Sequence, residues 1–286
     1  MRWQCTTADA SLGASDFMYM AHRFEGRDVQ DLAKGTSSAK PVTVSFWVRS
    51  TVPGSYSFRL VDNQNNRQIG QNYTVNQADT WEHKTMTFAG DTTSALSSDG
   101  SNRLSMMWWL AVGSNRTSGA IPTSWETMTT ADEAAGQTAN IASSTSNNFY
   151  ITGIQLEVGR NATEFEHRPY AEELALCQRY CQVIPNNSTN SRIAIGTWSD
   201  ATTARATCWL KTTMRDTPGI HSVPNRGRIL REAVGWYTVS SDPSITESSN
   251  DVVTFYFNNS VSSSGASANE FATWGYSAKV VLSAEY

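Results

Sequence analysis

Val42-Thr-Val-Ser-Phe-Trp-Val-Arg49 alternates between two kinds of side chain. Val42, Val44, Phe46 and Val48 fall on one face of an extended chain, and Thr43, Ser45, Trp47 and Arg49 on the other. Successive side chains of a strand point to opposite faces, so the run reads as a β-strand with one buried face. Pro53-Gly54 supplies a turn. Tyr56, Phe58 and Leu60 alternate in the next strand, and Asp62-Asn-Gln-Asn-Asn66 has the residues of another turn. Trp81–Phe88 and Leu104–Val112 extend the series.

From Gly113 to Asn148 apolar residues thin out and Thr, Ser and Ala dominate, which predicts an extended surface loop. Loops of that length in a compact domain are usually functional or disordered. A strong strand pattern follows, Phe149-Tyr-Ile-Thr-Gly-Ile-Gln-Leu-Glu-Val-Gly159. Its apolar parity slips from Phe149 and Ile151 to Ile154, Leu156 and Val158, which places a β-bulge at Thr152-Gly153.

One segment reads as helix, Pro169 to Gln182. Pro169 suits a first helical position, Glu172 and Glu173 the positive end of the helix dipole, and Arg179 the other end. Pro185 and Asn186-Asn187 stop it. Beyond Asn187 strand patterning returns: Ala204, Ala206, Cys208, Leu210 and Met214 share one parity, and Arg205, Thr207, Trp209 and Lys211 the other. Val252–Phe257 and Ser277–Leu282 read as later strands, and Ser262–Ser267 as a flexible loop. The order strand, helix, strand predicts an all-β chain: a jelly-roll β-sandwich over 1–168, a linker helix over 169–184 and a smaller C-terminal β-sandwich over 185–286.

The composition agrees. The chain has 286 residues, enough for two domains, with 39% hydrophobic residues to build cores. Charged residues reach only 17%, against about a quarter in an average globular chain. A net charge of -4 gives no electrostatic footprint for nucleic acid. No apolar run is long enough to insert in a membrane. Cys5, Cys177, Cys181 and Cys208 lack zinc-ligand spacing and read as reduced thiols.

The stretch Phe149 to Tyr180, with its Gly-Ile-Gln-Leu-Glu-Val-Gly-Arg-Asn-Ala-Thr-Glu-Phe-Glu-His-Arg-Pro-Tyr-Ala core, resembles a phrase shared by bacteriophage tail-fibre and virion appendage proteins. Val44-Ser-Phe-Trp-Val-Arg49, Tyr73-Thr-Val75 and Trp81-Glu-His-Lys-Thr85 resemble the jelly-roll part of those proteins. Leu210-Lys-Thr-Thr-Met-Arg-Asp-Thr-Pro218 and Ser283-Ala-Glu-Tyr286 resemble their C-terminal part. The family's jelly roll is similar to carbohydrate-binding modules. The resemblance therefore implies a trimeric virion protein, made in the host cytoplasm, that docks to other phage tail proteins and touches host cell-surface polysaccharide. The opening Met1-Arg2-Trp3 lacks an evident particle-attachment segment, as expected of the C-terminal portion of a longer fibre or of a small protein docked by others.

Glycan sites pair a flat aromatic with hydrogen-bonding groups. Trp47 and Trp109 both fall on the face opposite the core parity, Trp109 beside Ser105 and Ala111, and are candidate sugar platforms. The alternative is that they cover a second, minor core or a subunit interface. Gln155 and Glu157 lie opposite Ile154, Leu156 and Val158; they either hydrogen-bond a sugar or help hold a cation, or are solvated or tie down a neighbouring loop, as the outward face of a half-buried strand requires. Asp62–Asn66 lacks the Gly and distal Glu of a calcium loop. No cofactor is expected, although the jelly-roll resemblance leaves room for a structural calcium. Glu164 and Glu166 sit at the domain boundary rather than across a cleft, and the four histidines lack Ser-Asp or Cys companions, so no enzyme is expected. Leu174, Cys177 and Cys181 form a narrow apolar seam on the expected helix, which predicts a homotrimer packed about it.

Overall fold

The computed structural model describes residues 1–184, 192–231, 235–257, 271–275 and 279–284. The chain divides into two compact units, Met1–His167 and Arg168–Tyr286, and both are built of antiparallel sheets. The fold is all-β, of the β-sandwich type.

The first unit contains β1 (Arg2–Gln4), β2 (Phe17–Glu25), β3 (Val42–Ser50), β4 (Gly54–Asp62), β5 (Arg67–Val75), β6 (Glu82–Phe88), β7 (Asn102–Val112), β8 (Glu126–Thr127) and β9 (Asn148–Val158). One sheet has the order β1-β9-β3-β6 and the other β2-β7-β4-β5-β8. Leaving the two-residue β8 aside, eight strands form two four-stranded sheets with crossing connections, the jelly-roll arrangement. The alternation of β3 is the reason for this placement. Val44, Phe46 and Val48 are wholly buried between the sheets, where Phe46 meets Tyr73 at 5.2 Å and Trp108 at 5.8 Å, both edge-on. Each such side chain contributes roughly 1.5–3 kcal/mol on burial.

Local chemistry fixes the connections. Asp62 Oδ1 accepts the amides of Gln64 (3.0 Å) and Asn65 (2.8 Å), and Asn66 takes φ +53, closing the β4–β5 hairpin that the Asp62–Asn66 stretch predicts. The bulge is present as well. Ser45 pairs with Gln155 but Trp47 with Thr152, so one β3 residue faces two on β9, and Gly153 adopts φ +58.

The 113–147 segment corrects the expectation of an extended surface loop. It holds short helical turns at Ser114–Arg116, Thr130–Asp132 and Ile141–Ser143 and buries Ala134, Ala135, Ala139 and Ile141. Thr138 and Ala139 donate their amides to Ser55 O (3.0 and 3.1 Å), which ties the segment to β4.

The second unit begins with a helix, α1 (Tyr170–Gln178). Its strands are β10 (Cys181–Ile184), β11 (Arg192–Trp198), β12 (Ala204–Trp209), β13 (Gly219–Asn225), β14 (Arg228–Arg231), β15 (Gly235–Thr238), β16 (Ser244–Ser248), β17 (Val252–Phe257), β18 (Phe271–Gly275) and β19 (Lys279–Ser283). They form a sheet β10-β19-β13 and a sheet β15-β14-β18-β11-β12-β17-β16. Trp198, Ala204, Ala206, Phe255, Phe257 and Trp274 of the larger sheet and Val280 and Leu282 of the smaller share one core. The expected stop at Pro185-Asn-Asn187 and the loop Ser262–Ser267 lie outside the described residues.

The helix is shorter than the sequence predicts. It ends at Gln178, Pro169 precedes rather than opens it, and Cys181–Ile184 is a strand paired with β19. The cause is Gln182, whose buried side chain donates to Thr212 O (2.5 Å) and accepts the Lys211 amide (3.1 Å); extended backbone places it there.

Candidate functional site: an aromatic face on the jelly roll

Four strands bring one set of outward side chains together. Trp47 of β3 lies beside His83 of β6, ring centroids 5.2 Å apart, and across from Thr152 of β9. One pair further along, Arg49 is opposite Tyr150 and its Cζ stands 5.1 Å from that ring. Arg2 of β1 approaches the same ring at 5.7 Å, and Trp81, just before β6, meets it edge-on at 6.3 Å. Arg49 pairs with Asp79 at 3.2 Å, and Arg2 donates twice to Asn148 Oδ1 (3.0 and 2.8 Å). Trp47 is 45% exposed and Trp81 42%.

The bulge shapes this face. A Cβ at Gly153 would lie 3.4 Å from Trp47 Cδ1 and 3.9 Å from Phe165 Cδ2, so both rings border the space that the missing side chain leaves. Phe165 is itself exposed and sits 5.0 Å from His167. Flat apolar rings edged by two guanidinium groups, an imidazole and a carboxylate can stack on a pyranose C–H face while hydrogen-bonding its hydroxyls.

Of the sequence-predicted sugar contacts, Trp47 alone belongs to this face as an open aromatic. Trp109 does not: it is 1% exposed. It packs on Tyr19 (5.2 Å) and Phe17 (6.0 Å), beneath Arg59, whose Cζ is 5.1 Å from the ring, and Arg116 at 5.8 Å. Arg59 and Arg116 both pair with Glu133, which the 113–147 segment lays over the second sheet. The outer side of that sheet is thus a second, minor core.

Gln155 and Glu157 also prove to be ties rather than free sugar contacts. Glu166 N donates to Gln155 Oε1 (2.8 Å), and Gln155 Nε2 reaches Thr163 Oγ1 and Glu164 O, each at 3.3 Å. Glu157 accepts the Thr163 amide (3.1 Å) and the Thr163 hydroxyl. Burial would raise the Glu157 carboxyl, but these donors together with Gln155 outweigh it and hold the group below its ordinary value. Both residues therefore fix the 163–166 strap that carries Phe165.

Leu174 and Cys177 lie exposed on α1, and Leu174 is 39% accessible. Cys181 is half-buried and on β10, so it does not extend a helical seam. Asp62 is committed to its turn and to Lys34, which leaves no open calcium loop at Asp62–Asn66. Among the described residues no group of three or more His, Cys, Asp or Glu side chains converges to hold a metal, and no helix is long and apolar enough to cross a membrane.

Sequence reading missed Trp81, Tyr150 and Phe165 as partners of Trp47. For Tyr150 the signal is its cross-strand register with Arg49, which parity within one strand cannot supply; Trp81 and Phe165 lie outside the paired strands and carry no such signal.

No family profile matches the chain. No curated protein matches it either. A solved structure described as Red Clover Necrotic Mosaic Virus aligns over 99% of this chain and 87% of that one, at 9% identity and a TM-score of 0.17, and so weak a superposition carries no argument.

Proposed function

We propose that the chain is a bacteriophage tail-fibre or appendage protein, part of the virion and not an enzyme, whose jelly roll adheres to host-surface glycan. One observation carries this reading: Trp47 and Trp81 stand half-exposed on a single sheet face with Tyr150, His83 and Arg49 around them. Exposed aromatic patches with polar rims mark interaction sites. The resemblance of the 149–180 stretch to tail-fibre proteins names the setting. A glycan array or host-cell binding assay on the purified chain tests it. Binding that Trp47→Ala and Trp81→Ala abolish, with an unchanged melting midpoint, is expected. Unaltered binding by both variants, or no binding to any glycan or host surface, overturns it.

A purely structural role, docking to other tail or capsid proteins, has its own observation in the second unit. Trp209 is 77% exposed and Ile195 57% on the outward side of β11 and β12, beside Arg205 stacked on Tyr256 at 5.4 Å. Loss of particle incorporation in Trp209→Ser, with glycan binding absent from the native chain, favours that reading. In either setting we read the assembled form as a homotrimer about α1.

A further inference from the structure

Lys34, Asp62 and Asp91 meet inside the jelly roll, with side chains 4%, 0% and 2% exposed. The Lys34 ammonium contacts Asp62 Oδ2, lies 3.0 Å from Asp91 Oδ2 and donates to Ser94 O at 2.8 Å. Its backbone is clamped. Gly35, at φ +81, donates its amide to Asp91 O (2.7 Å), and a Cβ there would fall 2.2 Å from Ala95 N. The Trp125 ring centroid is 5.1 Å from Nζ, and Leu32, Val42, Leu60 and Leu104 complete an apolar lining.

We propose that Lys34 and Asp62 condense into an intramolecular amide bond, with Asp91 as the proton carrier. Nζ is already against the Asp62 carboxyl, and fixing two reactants in contact replaces a bimolecular encounter with an effectively unimolecular step. Asp62 Oδ1 is polarised by two backbone amides, Gln64 N at 3.0 Å and Asn65 N at 2.8 Å, which would stabilise the charge that gathers on that oxygen during attack. Asn65 Nδ2 donates to the other oxygen, Oδ2, at 2.9 Å. Asp91 is held by both prongs of Arg67, Nε–Oδ2 2.7 Å and Nη2–Oδ1 3.1 Å, and by the Thr93 amide. Asp91 Oδ2, 3.0 Å from Nζ, is the acceptor placed for the ammonium proton. Burial would raise its carboxyl, but Arg67, the Thr93 amide and Lys34 outweigh it and hold it at about 2, which makes the proton transfer uphill and the condensation slow.

The step balances without an added reagent. Asp91 takes a proton from the ammonium and passes it to Asp62 Oδ2, so that a free amine faces a neutral carboxylic acid. The Nζ lone pair then attacks Asp62 Cγ and the C–N bond forms. The Cγ–Oδ2 bond then breaks and Oδ2 leaves as water with two of the three ammonium protons, one of them carried by Asp91. The third proton stays on the amide nitrogen, and Asp91 returns to its carboxylate paired with Arg67. One buried ion pair, expensive to desolvate, becomes a neutral amide. The bond would join residues 28 apart and, like a disulfide, restrict the unfolded chain. It is independent of what the outer face binds.

Intact mass spectrometry of the denatured full chain reads this directly. The expected mass is one water below that of the sequence, with a branched peptide joining Lys34 to Asp62 after proteolysis. Lys34→Arg keeps the cation but cannot form the bond, and should show no water loss. Asp91→Asn should lose water far more slowly. A native mass that stays at the sequence value after prolonged incubation of the folded chain, or a water loss that maps elsewhere, overturns the bond. Condensation in Asp91→Asn at the native rate overturns the role of Asp91.

Discussion

The indole of Trp109 lies under the guanidinium of Arg59, 5.1 Å from ring centroid to Cζ, and Arg59 in turn holds Glu133 at 3.2 Å. This contact joins the second sheet of the jelly roll to the segment laid over it, and it turns an outward-facing position into an interior one. Arg59 also donates to Gln68 Oε1 at 2.6 Å, so aromatic, cation and amide form one buried layer.

Trp109→Ala should therefore lower the stability of the jelly roll by roughly 3–5 kcal/mol, the cost of emptying a buried Trp site. Chemical denaturation monitored by far-ultraviolet circular dichroism measures it. A change below about 1 kcal/mol would mean that the 113–147 segment does not pack on Trp109 in solution.

Trp47→Ala should behave in the opposite way. The ring is 45% exposed, so its loss should change stability by no more than about 1 kcal/mol. On the proposed function the same variant loses host-surface binding. Measuring melting and binding on one sample separates the two effects.

Acid should weaken the jelly roll in a defined window. Burial would raise the Glu82 carboxyl, but Lys84 and the Gln77 and Asn76 donors outweigh it and hold it at about 2; Asp91 is held at about 2 as well. Both folded values lie below the ordinary ones of 4.5 and 3.8. Their contribution is therefore complete above the ordinary values and is lost as pH falls through the folded ones, roughly from pH 5 to pH 2. Melting midpoints recorded across that range should fall steadily. Glu82→Gln should melt lower at neutral pH and show a shallower acid slope.

Much of the fold was legible because alternation is local. Val42 to Arg49 announces its buried face, the Thr152-Gly153 slip announces the bulge, and Asp62–Asn66 announces the hairpin. What parity cannot reveal is whether a second layer covers the outward face. Trp47 and Trp109 have the same sequence signature. Trp47 stays 45% exposed with Phe165 at its border, whereas Trp109 is buried because the 113–147 segment folds back over its sheet. For Gln155 and Glu157 parity leaves ligand contact, solvation and a loop tie all open for the same reason: their partner, Thr163, lies past the end of the strand. Lys34, Asp62 and Asp91 carry no local signal, since their meeting depends on three separate connections.

The remaining prediction concerns assembly. The helix α1 has nine residues and buries none of them. A helix this short is marginal in water unless its side chains pack on something. Tyr170, Leu174 and Cys177 follow one another at helical spacing along one side, and all three are exposed within their own chain. A closed trimer that packs this side at its axis would cover them without inviting open-ended growth. Light scattering at micromolar concentration should then give three times the chain mass, with a melting midpoint that rises with protein concentration. Thiol labelling adds the location. In the trimer Cys177 should react slowly and speed up on dilution, whereas Cys5 and Cys208, buried in their own units, should stay slow at every concentration until the chain unfolds. Burial also pushes the Cys208 thiol up, which slows it further. A chain that stays monomeric in light scattering, with Cys177 labelled at the rate of an open thiol, would remove α1 as an assembly axis.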